Sequence, residues 1–381
     1  MLGWNPRSAA LRLLTLVVPL LLAEAYDLPT VPPVKAAEAS PPAQTAGDDS
    51  APLRVIRGVP YLSTDSVSDS KRLLADIYLP VNWPGPAEAM ETNGAAPRLA
   101  PRAGAGISDA RPSPGVAKPA ASESPLFPAI LMIHGGAWMS GNKVQVTSHA
   151  RYAAQRGYLV VAINYRLAPQ YPFPAQLVDC CRGLRWMRAN SRAYHIDPQR
   201  IAVYGYSAGA NLACLLGMCA QENLPVAAPA DEKAEAKGSD PFFQQPPLAD
   251  QETPPEATRV RAIVAGGAPC EFDWIPADSQ RLAYWLGGSR REVPELYHLA
   301  SPTTFASADD PPVFLFHGDR DRVVPVASPR LMSACLAKVG VAAQLHVVPQ
   351  AGHLEAFLDA GARKLAIDFL DSVLRDTPGL K

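Results

Sequence analysis

The 381-residue sequence has almost no excess of charge: 35 Lys and Arg stand against 36 Asp and Glu, a formal net charge of −1. That balance gives no electrostatic case for binding nucleic acid or an anionic membrane. A long hydrophobic run is missing from the N-terminus. The stretch "LLTLVVPLLL" is about ten residues, well short of the roughly 20 that a spanning helix needs. Stable membrane insertion is therefore not expected. No internal repeat is visible. Cysteine is sparse, with six in all. Cys180 and Cys181 are adjacent and Cys214 and Cys219 sit five apart, which is no disulfide framework. Buried thiols are the favoured reading, with one long-range bridge through Cys270 or Cys335 left open.

What the chain does have is proline. Its 40 residues are about twice the usual share, and they cluster. Before the first cluster, Arg7 and Arg12 make a basic start, the short apolar run follows, and Ala23-Glu24-Ala25 forms a small-residue cleavage site. An export signal over residues 1–25 is expected, with periplasmic or extracellular residence. No cysteine lies near the site to take a lipid. Residues 26–51, rich in Pro, Ala, Ser and Thr, read as a disordered linker. Two similar stretches, about 83–125 and 223–257, read as surface insertions in one domain spanning 52–381.

Between these stretches, strands alternate with helices. "RLLADIYLP" (72–80) alternates like an edge strand, whereas "FPAILMIHGG" (127–136), "YLVVAINYR" (158–166) and "RIAVYGYS" (200–207) are continuous apolar runs. "VRAIVAGGAP" (260–269), "VFLFHG" (313–318) and "AQLHVV" (343–348) add three more strands. Helical spacing appears over 175–190, 208–220, 326–339 and 362–375. The pattern predicts an α/β fold with a mostly parallel central sheet and helices on both faces. In such sheets a site forms beyond the carboxyl ends of the strands.

The chemistry-bearing motifs follow those strand ends. "GYSAG" (205–209) fits G-x-S-x-G between a strand and a helix, a strained turn that would hold Ser207 up. Its bland alternative is a serine capping a helix. "HGGAW" (134–138) is either a plain glycine turn or a loop whose N–H groups converge on one spot. His353 lies in "QAGHLEAF" (350–357), after the last strand. "HGDRDRVVP" (317–325) packs His317, Asp319 and Asp321 at alternate positions. A metal site would need further ligands converging from other elements, and nothing nearby supplies them. Ser207, the acidic pair and His353 follow the chain order Ser, acid, His of α/β-hydrolases.

"HGGAW", "NYRLAPQYPFPAQLVD" (164–179), "GYSAGAN" (205–211), "HGDRDRVVP" and Gly352-His353 together resemble the hormone-sensitive-lipase-like α/β-hydrolases. They are most similar in flavour to the bacterial feruloyl-esterase-like (BD-FAE) group. The resemblance covers about 52–82, 126–222 and 259–376. It implies an α/β-hydrolase fold with a small cap region. Carried over residue by residue, it implies Ser207 as nucleophile, His353 as base and Asp321 as the acid. Asp319 is then a turn former and His317 closes the strand. Gly135, Gly136 and Ala208 match the oxyanion-hole donors, although Ala137 stands where many members have glycine.

The implied activity is hydrolysis of carboxylic esters through an acyl-enzyme, with no cofactor or metal. The substrate would be a small-molecule or carbohydrate acyl ester. Rival readings are an arylformamidase, a serine peptidase and a non-catalytic binding protein on the same scaffold. Trp138, Trp274 and Trp285 are candidates for lining the pocket, with Phe272, Tyr284 and Tyr297 beside them. Packing of a cap helix onto the core would explain most of these aromatics equally well.

Overall fold

The structure, a computed structural model, describes residues 53–61, 73–85, 125–219 and 259–375. The expected export signal, the linker and almost all of the two insertions lie outside the described residues. Trp83, placed by sequence at the start of the first insertion, belongs to the domain. It is buried, and its indole N–H donates to Tyr194 O at 2.9 Å.

Eight strands form one sheet. They are β1 (Val55–Pro60), β2 (Leu74–Tyr78), β3 (Phe127–Ile133), β4 (Leu159–Ile163), β5 (Ile196–Tyr206), β6 (Ala262–Gly266), β7 (Val313–Gly318) and β8 (Ala343–Val348). Their order is β1-β2-β4-β3-β5-β6-β7-β8. The pairs β1–β2 and β2–β4 are antiparallel and every other pair is parallel. This is the α/β-hydrolase arrangement. One expectation is corrected: β2 is not an edge strand. β1, interrupted by Gly58 and ending on Pro60, was too weak a strand pattern to read, and it covers β2.

The sheet is buried on both sides, and the period of two sorts its residues between two cores. Leu131, Ile133, Val161, Ile163, Val203, Ile263 and Leu315 face one side. There they meet Leu177, Leu184 and Met187 of α2 (Ala175–Ala189) and Leu212, Leu215 and Leu216 of α4 (Ala208–Met218). Ile130, Met132, Val160, Tyr204, Val264 and Phe316 face the other side. They meet Ala150 and Ala153 of α1 (Thr147–Gln155) and Ala366, Ile367 and Leu370 of α9 (Ala360–Leu374). Each fully buried Leu, Ile, Val or Phe contributes about 1.5–3 kcal/mol, so this double-sided burial is what holds the strands flat to one another. The remaining helices are short α3 (Ser191–Tyr194), α5 (Ala283–Leu286), α6 (Pro294–Leu299) and α8 (His353–Leu358), with α7 (Ala327–Lys338) before β8. α5 and α6 lie between β6 and β7, in the cap segment that carries Trp274, Tyr284, Trp285 and Tyr297.

All six cysteines fall among the described residues and are free thiols; five are buried and Cys335 is half-buried. Among the described residues, no helix is long and apolar enough to cross a membrane.

Candidate functional site

β3 to β8 run parallel, so they all end on one edge of the sheet. β5 lies between β3 and β6, which sets the turn after Tyr206 beside the loops that follow those two strands. Ser207 sits on that turn with φ 56° and ψ −123°, a conformation costing on the order of 1–3 kcal/mol for a residue with a side chain. The flanking glycines permit it. A methyl group on Gly205 would lie 2.0 Å from Gly209 O, and one on Gly209 would lie 2.3 Å from Ile133 O. The serine N–H donates to Gly266 O at 2.8 Å. Its hydroxyl makes no capping bond to α4, so the capping alternative does not describe it.

His353 comes from the end of β8, three strands away from β5, or roughly 14 Å at sheet spacing. The chain after β8 must therefore cross over the ends of β7 and β6. Gly318 lets it do so: a methyl there would be 2.1 Å from Ala351 O. Arg320 N–H then donates to Ala351 O at 3.0 Å and fixes the crossing. The imidazole ends over Gly267, where a methyl would be 2.9 Å from His353 Cε1. Tyr206, the residue before Ser207, donates its hydroxyl to His353 O, with the two rings 5.2 Å apart. The histidine is thus seated on the same turn that carries Ser207.

Asp321 follows β7, and its side chain is fully buried. His353 Nδ1 lies 2.6 Å from Oδ2. Val323 and Val324 donate their N–H groups to Oδ1 at 2.8 Å and 2.9 Å. Burial alone would raise this carboxyl. The hydrogen bonds from His317 and His353 outweigh it and hold the group well below the usual carboxylate range. The ionised carboxylate assigns a proton to His353 Nδ1, leaving Nε2 as the acceptor on the neutral ring.

His317 does more than close β7. Its Nε2 donates to Val324 O at 2.7 Å and lies 3.2 Å from Asp321 Oδ2, with the side chain fully buried. Asp319 is exposed in the turn, away from this set.

The loop after β3 faces the serine from the other side. A methyl on Gly135 would lie 3.3 Å from Ser207 Cβ. Gly136, Ala137 and Trp138 then follow one another at φ 118°, 51° and 58°. Positive φ at a residue with a side chain costs about 1–2 kcal/mol, so Ala137 and Trp138 need outside support. Tyr284 donates its hydroxyl to Ala137 O at 2.9 Å, and Ala168 N–H donates to Trp138 O at 2.9 Å. At the base of the loop His134 is fully buried. It donates Nδ1–H to Gly135 O at 2.7 Å and stacks on Tyr165 at 4.1 Å. Burial lowers its imidazole to about 4. Ala208 is buried at the first position of α4.

The aromatic expectations divide. Trp138 is 4 % exposed and stacks on Trp285 with centroids 3.6 Å apart and planes 6° from parallel. Trp285 does not line an opening: it is wholly buried, with its N–H given to Gln176 Oε1 at 3.1 Å. Phe272 and Tyr297 are buried as well. Trp274 is half-buried and donates to Glu271 O at 2.8 Å. Sequence reading missed Tyr206, Gly267, Gly318 and the contact of His317 with Asp321. The glycines at the strand ends "IVAGG" (263–267) and "HG" (317–318) are a hint, and they name no partner. Among the described residues no cluster could hold a metal ion.

Comparison with known proteins bears on this arrangement. A profile of the BD-FAE family matches residues 115–336, more than half of the chain. The chain belongs to the BD-FAE family. Esterase LipQ of Mycobacterium tuberculosis is 30% identical over 231 residues, covering 59% of this chain and 50% of that protein. The chain spans about half the length of the curated relatives it matches. A truncated carbohydrate esterase from gut microbiota superposes with TM-score 0.60 at 22% identity, over 85% of this chain and 98% of the other, and shares the fold. An acetyl ester-xyloside bifunctional hydrolase from Caldicellulosiruptor lactoaceticus gives TM-score 0.50 at 27% identity, over 66% of this chain and 85% of that one. In this BD-FAE domain, the chemistry available is that of a raised hydroxyl, an imidazole backed by a buried carboxylate, and a glycine loop beside the serine.

Proposed function

We propose that the chain is a serine hydrolase of carboxylic esters, with Ser207 as nucleophile, His353 as base and Asp321 as its orienting acid. The observation that carries this reading is the 2.6 Å bond between His353 Nδ1 and the buried Asp321 carboxylate, made by a histidine seated on the Ser207 turn. That bond leaves Nε2 as a proton acceptor. Ser207 Oγ attacks the ester carbonyl and its proton passes to His353 Nε2. Asp321 stabilises the imidazolium without taking the proton itself. The N–H groups of Gly135, Gly136 and Ala208 hold the oxyanion; losing one such donor typically costs about 100- to 1000-fold in turnover. The alcohol leaves with the proton from His353, and water then hydrolyses the acyl-enzyme by the same route.

The similarity to LipQ and to the acetyl ester-xyloside hydrolase supports an ester, and an acylated carbohydrate within that class. The basic start, apolar run and Ala23-Glu24-Ala25 support export. The test uses Ser207→Ala. That variant folds and loses hydrolysis of 4-nitrophenyl acetate, while the wild type is labelled at Ser207 by a fluorophosphonate. Normal turnover by Ser207→Ala sinks the proposal, and an unlabelled wild type points to a binding protein.

A further inference from the structure

Two consecutive residues of the cap segment hold two consecutive residues of the glycine loop. Tyr284 gives its hydroxyl to Ala137 O, and Trp285 lies flat against Trp138. Trp285 is itself fastened from the other side. Its carbonyl accepts from Phe173 N–H at 2.7 Å and its indole donates to Gln176. The grip falls on the part of the loop that needs it. Gly136 can adopt its positive φ at no steric cost, but Ala137 and Trp138 cannot. Within the loop, Met139 N–H and Ser140 N–H both return to Gly136 O, at 3.1 Å and 3.0 Å. Those bonds close the turn without touching the carbonyls of Ala137 or Trp138. The carbonyl of Ala137 is taken by a side chain from a segment more than a hundred residues away.

We propose that Tyr284 is a positioning residue for the oxyanion hole: its hydroxyl holds Ala137 in the left-handed conformation that keeps the preceding N–H groups aimed at Ser207. This rests on the ester-hydrolase reading above. The strain has a sequence origin, because Ala137 stands where a third glycine would carry the same φ freely. The tyrosine takes the place of that glycine's conformational freedom. A donor set that is misaimed matters where charge develops, so the loss belongs to the transition state and not to substrate binding.

The test compares wild type, Tyr284→Phe and Tyr284→Phe/Ala137→Gly in the whole chain. It reads kcat and KM on 4-nitrophenyl acetate and hydrogen exchange of the amides of residues 135–140. Phenylalanine keeps the ring and removes only the hydroxyl. Expected are a fall in kcat of about 10- to 100-fold with KM unchanged within about twofold, and faster exchange across the loop. Adding Ala137→Gly restores most of kcat, because glycine carries the φ without the clamp. Unchanged kcat in Tyr284→Phe, or a further loss on adding glycine, overturns the proposal. If the wild type itself hydrolyses no ester, the functional reading fails on its own account. Loop exchange then still decides the clamp: unchanged exchange in Tyr284→Phe overturns it too.

Discussion

The two halves of the site are built on different principles. Ser207, Asp321 and His353 hang directly from strand ends and are fixed by groups of the same sheet edge: Gly266 O, the Val323 and Val324 amides, the Ala351 carbonyl, and the side chains of Tyr206 and His317. The glycine loop beside Ser207 leans instead on side chains from other segments, chiefly Tyr284, Trp285 and Tyr165. The sheet half is rigid because its own chain leaves it no room. The loop half is rigid only while its neighbours stay in place.

The sharpest way to break this contrast lies in the sheet half. Asp321→Asn should lower kcat by about four orders of magnitude, since an amide cannot fix the imidazole tautomer. Asp319→Asn, two residues away in the exposed turn, should stay within about twofold. Ester hydrolysis measured on both decides it, and the reverse ranking moves the acid by two residues.

Next comes an exchange of one methyl group between the halves. Gly205→Ala drives a carbon to 2.0 Å from the Gly209 carbonyl, backbone against backbone, and should cost about 3 kcal/mol or more. Ala137→Gly removes a methyl from a strained position and should change stability by less than about 1 kcal/mol. Thermal melts of the two variants test the pair. A mild Gly205→Ala would mean that the elbow is not self-confining.

Smaller, and separable by pH, is the difference in titration. His134, at the base of the loop half, moves from an ordinary 6.5 to about 4 on burial. Between those values the unfolded chain holds a proton that the folded one does not, so stability is lost as pH falls through that window. The contribution of His134 is roughly 2 kcal/mol by pH 5. Asp321 is lowered too, below its ordinary 3.8, but its window lies further down: its stabilisation is full above that value and is lost only as pH falls below it. His149, buried on the α1 side and lowered to about 3, adds to the upper window. A plot of melting temperature against pH should therefore fall between 6.5 and 4, and His134→Gln should flatten part of that slope. An unchanged slope would show that the loop half does not depend on a neutral His134.

The same division explains what could be read from the sequence. The elbow, the strand that precedes it, the acidic pair at 319 and 321 and His353 after the last strand are local patterns, the choice of Asp321 within the pair comes from the family resemblance, and continuous apolar runs name buried strands by themselves. β1 was lost because Gly58 and Pro60 break a six-residue strand, and without it β2 looked like an edge. The crossing over Gly318 and the seat on Gly267 join residues far apart in the chain, so no spacing reveals them. Trp285 illustrates the limit for aromatics. Composition marks it as something to bury, but only the fold tells whether it faces substrate or, as here, the back of Trp138.

The stacked indoles of Trp138 and Trp285 have one further use. Rings lying flat at 3.6 Å shield each other's faces from water, and each keeps that apolar surrounding only while the other stays in place. One member rides on the glycine loop and the other on the cap segment. Parting them changes the fluorescence of the protein, and the loop thereby carries an optical reporter of its own position that works before any ester is added.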